Sequence, residues 1–406
     1  MKNSNVEIKF FAGALLILLV IIYGITISSS NHSNSSKLSA SHLDIRIVNL
    51  NLTKKANSNK NFYPNLNPDC KSISNQFCYN LNCIDSIDTK ALSDLISDSK
   101  KLLVINRHGI RTAAIGRKAF ACGRNHVDEE FFKSYKKDFK LWKMFETLMT
   151  GKTCSRSKLT GYGVQQLLKI GKVFKKVIPK ENYSKIEYFS TGYPRTIHSA
   201  TAFRMRYDGN YSIDTLDTTT YKLYPKATTT ECKTEKVELV EQREKQEYEA
   251  HNSCMKSISG PRFKLSDRIS EICMGEEPLP NVFKEESVCN RVKCSKIISI
   301  LQQSHFIQLI NDWLLDDTKI LKIVSAHDWN IQDLICLYTN DEYTPTFVSL
   351  ASSLIFTDTQ LILLSGGDIK VYSSYRSAEE VAEILKSSSV SESCTSSVFN
   401  LWNNIN

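Results

Sequence analysis

Glycine and proline are scarce in this chain, 15 and 9 of 406 residues. That scarcity excludes collagen-like repeats and low-complexity architectures. The sequence also lacks any run of five or six basic residues, and its excess of Lys plus Arg (52) over Asp plus Glu (43) is spread along the chain. Nucleic acid is therefore a poor partner, whereas an anionic substrate is compatible with the charge. No internal repeat is visible. Hydrophobic residues at 41% and charged residues at 23% are an ordinary globular balance, which excludes a disordered or fibrous chain. At about 150 residues per domain, the length predicts roughly two or three units.

One long apolar run is present. Phe10 to Ile27 carries no charge, follows Lys2 and Lys9, and meets no further Lys or Arg until Lys37. A signal-peptide core needs about 7–15 residues and a spanning helix about 17–25, so this run fits the longer class. The reading is a cytoplasmic tail at 1–9, a membrane anchor at 10–28 and a lumenal body. The other reading is a long cleavable signal, with Thr26 and Ser28 as small residues near the cut. Residues 29–61 are rich in Ser, Asn and Lys and cannot bury enough surface to offset their ordering entropy, so they read as a stem. All 12 Cys lie beyond the apolar run, from Cys70 to Cys394, which suits an oxidising lumen and a disulfide framework. Cys78/Cys83 and Cys289/Cys294 each have a four-residue gap that also suits half a zinc site. No His follows at finger-like spacing, so no metal is expected. Sequons at Asn31, Asn34, Asn51, Asn182 and Asn210 add weak support for a secretory route.

The body shows one pattern three times. Leu102-Leu103-Val104-Ile105 stops at Asn106-Arg107-His108-Gly109-Ile110-Arg111. Ile186–Ser190 is followed by Thr191-Gly192-Tyr193-Pro194-Arg195-Thr196 and a helix predicted over Ile197–Met205. Ile320–Ser325 runs into Ala326-His327-Asp328-Trp329-Asn330. Short β-branched runs of this kind read as buried strands. Ligands of open α/β sheets sit beyond the carboxyl ends of strands, so Arg107, His108, Arg111, Arg195, His327 and Asp328 are expected on one rim. Helices are predicted from Thr160, as cap, to Pro179, as stop, and over Ile297–Leu315. Leu361–Leu364 and Ile369–Ser373 around Gly366-Gly367 predict a hairpin. The fold class is α/β, and the stretch from about 207 to 295 breaks its rhythm and reads as an inserted cap.

Three guanidiniums offer paired N–H donors to phosphate oxygens, and two imidazoles supply a donor or a nucleophile. One carboxyl group can protonate a leaving oxygen. Phosphoryl transfer is mostly positioning and charge stabilisation, which this set supplies with no metal or cofactor. A lone His-Asp dipeptide or a lone Arg turn is more often structural. The Arg107-His108-Gly109-Ile110-Arg111 cluster is more specific, with Gly109 read as letting backbone approach an anion. His126, His198, His251 and His305 lack such context and read as packing or surface residues.

Taken together, the three blocks resemble the histidine acid phosphatase family. Its Arg-His-Gly-x-Arg-x-Pro hallmark is matched by Arg107 to Ala113, with Ala113 where the family has proline. Its Ser-Thr-x-x-x-Arg-Thr block is matched by Ser190 to Thr196, and its Ser-Ala-His-Asp block by Ser325 to Asp328. The likeness runs from about 100 to 375. It implies a phosphoglycerate-mutase-like α/β sandwich with a smaller, mostly helical cap, in a lumenal domain at 62–406. It also implies His108 as nucleophile, Asp328 as proton donor, and Arg107, Arg111, Arg195 and His327 as phosphate ligands. A finer likeness, to Golgi-anchored members acting on the glycosaminoglycan linkage region, rests on Thr191 to Ser199, Cys154 before Leu159-Thr160, and Cys289/Cys294. That likeness implies a phosphorylated sugar as substrate and a single-pass type II Golgi membrane protein. The alternatives are a general lysosomal or secreted acid phosphatase and a non-catalytic phosphoglycan-binding protein.

Overall fold

The computed structural model describes residues 78–112, 156–210, 291–345, 348–372 and 375–392, with 120–121, 153–154, 216–217, 273, 394–396 and 398. All of them belong to one unit, which begins at Asn59. The anchor at 10–28, the stem at 29–61, Ala113 and nearly all of the cap at 207–295 lie outside the described residues. Among the described residues no helix is long and apolar enough to cross a membrane.

A mixed sheet of seven strands forms the centre, in the order β11-β10-β9-β1-β7-β4-β5. Its strands are β1 (Leu102–Arg107), β4 (Lys185–Ser190), β5 (Leu216–Asp217), β7 (Ile320–Ala326), β9 (Ser353–Phe356), β10 (Leu361–Ser365) and β11 (Asp368–Tyr372). The three β-branched runs are thus strands, and they stand side by side. β1 and β7 are buried along their whole length, as strands covered on both faces must be. Because side chains alternate along a strand, Leu102 and Val104 enter one core while Leu103 and Ile105 enter the other. The first core is covered by α1 (Leu81–Asp85), α2 (Thr89–Ile96), α3 (Gly161–Val177) and α4 (Pro194–Tyr207). The second is covered by α5 (Lys296–Leu315), α6 (Asp328–Tyr338) and α7 (Ala378–Lys386). The result is a helix–sheet–helix sandwich, the α/β class expected.

Local chemistry explains the element ends. Thr160 Oγ1 accepts the Gly163 N–H and caps α3, which stops before Pro179 as anticipated. α4 begins at Pro194, three residues before the expected start, because proline at a first helical position has no N–H to leave unpaired. Gly366 and Gly367 take φ of 63° and 97° in the β10–β11 turn, a conformation glycine adopts at no steric cost. α1, α2, β9 and α7 went unread in the sequence. The remaining short strands are β2 (Phe120–Ala121), β3 (Thr153–Cys154), β6 (Arg291–Lys293) and β8 (Tyr343–Pro345).

The cysteines form disulfides, as expected, and the structure supplies the pairing: Cys78 bonds to Cys273 and Cys294 to Cys336, so Cys78 and Cys294 are not zinc ligands. Among the described residues no group of side chains could hold a metal ion.

Candidate active site

The three central strands β1, β7 and β4 run parallel, with Arg107 opposite Ala326 and Ser325 opposite Ser190. Their carboxyl ends therefore finish level, and the residues that follow them, His108, His327 and Thr191, emerge at one rim. α6 starts at Asp328 directly after β7, and α4 starts at Pro194 just after β4. Both helices direct the positive ends of their dipoles to the same rim, an arrangement suited to an anion.

His108 is buried and held from several sides. Its N–H donates to Ala326 O (3.1 Å), its carbonyl accepts from Ala351 N (3.1 Å), and its Nδ1 lies 2.8 Å from Gly109 O. A carbonyl only accepts, so Nδ1 carries the proton and the imidazole lone pair sits on Nε2. Arg107, 1% exposed, donates through Nη1 to Val348 O and pairs through Nη2 with Asp328 Oδ2 at 3.1 Å. Arg111 donates to Thr112 O at 2.9 Å. Arg195, in the first turn of α4, donates to Ser157 Oγ at 2.9 Å and stacks 4.4 Å above the Tyr193 ring.

His327 lies 5.4 Å from His108 between ring centroids. Its Nδ1 faces Arg195 Nη2 at 3.3 Å, and Arg can only donate, so the proton is on Nε2, which donates to Thr191 Oγ1 at 3.0 Å. Trp329 stacks on the His327 ring at 5.5 Å and Tyr193 meets it edge-on at 5.2 Å. The two imidazoles are therefore present as opposite tautomers, each fixed by its neighbours.

Burial, above all, pushes the His108 pKa well below its ordinary value, and the Arg195, Arg107, His327 and Arg111 charges act in the same direction. His327 is lowered by burial and then by Arg195, against a smaller opposing effect of Asp328. Both rings are thus neutral at neutral and mildly acidic pH. Three guanidiniums against a single carboxyl group leave the rim net positive, by two charges with Asp328 ionised and by three with it protonated. A phosphate monoester, at about −1.5 to −2, matches that charge.

The supporting shell holds residues that sequence reasoning did not single out. The loop 108–112 is pinned to residues 157–160 through Thr112 N to Lys158 O (2.8 Å) and Thr160 N to Ile110 O (2.9 Å). Gln166 accepts Ile110 N at 2.9 Å and donates to Cys78 O and Tyr79 O. Three non-glycine residues take positive φ among the described ones: Tyr79 (50°), Ser157 (60°) and Ala351 (59°). Each contacts this shell, through Gln166, Arg195 and His108 respectively. Such strain persists only where surrounding structure over-determines it, and it concentrates at functional sites. The expected role of Gly109 is also corrected. A Cβ there would overlap the Gly163 carbonyl, and one at Gly163 would overlap the Ile110 carbonyl. Gly109 serves the close crossing of the loop over the start of α3.

All six expected residues, Arg107, His108, Arg111, Arg195, His327 and Asp328, come together at this rim. His198 instead lies within α4, half-buried. The sequence model of the Histidine phosphatase superfamily (branch 2) matches residues 100–295. Just under half of the chain is thus similar to this branch. That likeness makes the chain a phosphoric monoester hydrolase. The matched segment holds Arg107, His108, Arg111 and Arg195, and the fold brings His327 and Asp328 to them from beyond it. No curated protein matches by sequence. Among solved structures, Klebsiella sp ASR1 phytase aligns at 10% identity and TM-score 0.37, over 76% of this chain and 94% of that one. Hafnia alvei phytase with myo-inositol hexakis sulphate aligns at 12% and 0.37, over 70% and 86%. Bifidobacterium longum multiple inositol polyphosphate phosphatase with inositol hexasulfate aligns at 11% and 0.37, over 69% and 88%. At those values the structural neighbours carry no argument of their own.

Proposed function

We propose that this histidine phosphatase works through a phosphohistidine on His108. Nε2 attacks phosphorus, an N–P bond forms, and the bond from phosphorus to the leaving oxygen breaks as Asp328 gives that oxygen a proton. The positive charge arising on the imidazole is met at Nδ1–H by the Gly109 carbonyl. Water then attacks phosphorus, returns a proton to Asp328 and frees His108. Arg107, Arg111 and Arg195 hold the phosphoryl oxygens throughout, and His327, whose Nδ1 accepts from Arg195 Nη2, keeps that guanidinium in place among them; a phosphoryl oxygen reaches the His327 Nε2–H only by displacing Thr191. The observation that carries this reading is the His108 tautomer, which directs the lone pair of a neutral, buried ring into a guanidinium-lined rim.

For substrate we propose a phosphorylated sugar, specifically the 2-phosphate on xylose in the glycosaminoglycan linkage region, with the chain set in the Golgi membrane by residues 10–28. The resemblance of Thr191–Ser199 to the 2-phosphoxylose phosphatase of that compartment supports this, as do the Cys78–Cys273 and Cys294–Cys336 disulfides and the exposed sequon asparagines Asn182 and Asn210.

The test uses the full-length chain with His108→Ala as blank. Phosphate release is compared among a 2-phosphoxylose linkage oligosaccharide, a myo-inositol polyphosphate and a simple aryl phosphate. His108→Ala is expected to abolish turnover, and Asp328→Ala to slow it most for poor leaving groups. Unchanged rates in both variants would remove the mechanism. Preference for the inositol or aryl ester would remove the glycan substrate and favour a general lysosomal or secreted phosphatase. A labelled histidine that forms once and never turns over would make the chain a binding protein.

A further inference from the structure

Between the catalytic turn and α5 lies a buried polar chain that the mechanism above does not use. The His327 N–H donates to Asn330 Oδ1 at 3.0 Å, closing the turn that joins β7 to α6. Asn330 Nδ2 donates to Gln303 Oε1 at 2.8 Å. Gln303 Nε2 donates to Asp333 Oδ2 at 2.7 Å, and Ser299 Oγ donates to Asp333 Oδ1 at 3.1 Å. Asn330 and Asp333 are fully buried, and Gln303 and Ser299 nearly so. Gln303 is also where α5 leaves helical geometry, at φ −109° and ψ 17°. A helix kink has an identifiable cause, and here it sits where the side chain must reach α6. The Cys294–Cys336 disulfide ties the opposite end of the same helix pair.

Buried amides are costly unless paired, so this chain is maintained by use of both amide ends of Asn330 and Gln303. An apolar pair would pack α5 on α6 equally well. What it could not do is fix the backbone N–H of His327, and with it the direction in which Asp328 leaves the strand. We infer that Gln303 and Asn330 are positioning residues that set the reach of Asp328 to the leaving oxygen. This inference rests on the phosphohistidine reading and deepens it. Side chains that orient a catalytic group without touching substrate are worth as much as ten- to a hundredfold in comparable second-layer sites, roughly.

The test compares an alkyl phosphate, whose leaving oxygen needs a proton, with p-nitrophenyl phosphate, whose leaving oxygen does not. Asn330→Ala and Gln303→Leu are expected to lower kcat for the alkyl ester about tenfold or more and for the aryl ester about threefold or less, with KM little changed. Asn330→Asp keeps the oxygen that accepts His327 N–H, and is expected to recover much of the alkyl rate. If the other two variants fail to fold, Gln303→Met, close to glutamine in volume, carries the same expected split between the two esters. Equal losses on both esters, or full activity throughout, would overturn the positioning role while leaving the mechanism intact. An inactive wild type would instead strike the phosphohistidine reading, since both esters would then resist it.

Discussion

At the scale of single residues, the two glycines of the motifs are held for different reasons. Gly109 is enclosed by the Gly163 backbone, whereas Gly192 has an ordinary φ and open space where a Cβ would stand. Gly109→Ala is therefore expected to destabilise by about 1–3 kcal/mol, the usual cost of overpacking, and to lower activity with it. Gly192→Ala is expected to be neutral or stabilising by up to about 1 kcal/mol, through the unfolded chain. Urea midpoints of the two variants check this, and equal midpoints would refute the packing account of Gly109. The six charged and imidazole residues were legible because each lies at the carboxyl end of a strand or within five residues of it. The contacts made by Thr191, Ser157 and Ala351 were not, since a hydroxyl or a backbone N–H shows no partner until one from elsewhere in the chain faces it.

At the scale of elements, α3 works as the brace of the loop 108–112. Its cap Thr160 holds the Ile110 carbonyl at 2.9 Å, and its Gln166 joins Ile110 N to the Cys78 and Tyr79 carbonyls. Removing that amide leaves buried backbone groups without their partner. Gln166→Leu is expected to cost about 1–3 kcal/mol and to reduce kcat, measured by denaturant unfolding and steady-state rates. A variant with wild-type stability would show that α3 only packs. The helix itself was readable from its period, Thr160 and Pro179. Its bracing role was not, because the partners of Gln166 lie 56 and 87–88 residues away.

On the scale of the whole molecule, burial of histidines couples folding to pH. His198 is lowered to about 4 by burial and by Lys158, and His108 and His327 are lowered as well. Between those depressed values and about 6.5 the unfolded chain binds more protons than the folded one. Stability therefore rises with pH through that window and is lost as pH falls from about 6.5. Each such group contributes at most ~1.4 kcal/mol per pH unit. His198→Asn is expected to flatten the decline between pH 6.5 and 4.5 in urea unfolding, and an unchanged slope would refute its share. For the same reason, the acid limb of kcat/KM is not expected to show a pKa near 6.5 from His108.

Read alone, the sequence determined the class of the fold, the strands that end in charged chemistry and the six charged and imidazole residues that gather at one rim. Those are local properties: a run of branched side chains, a cap, an Arg beside a His. The tertiary structure decided what depends on distant partners. It chose the tautomers of His108 and His327, since Gly109 O and Arg195 are what orient them. It paired Cys78 with Cys273 and Cys294 with Cys336, which spacing could not choose. It also joined Gln303 to Asn330 across two helices, because a buried amide must find its partner wherever packing brings one.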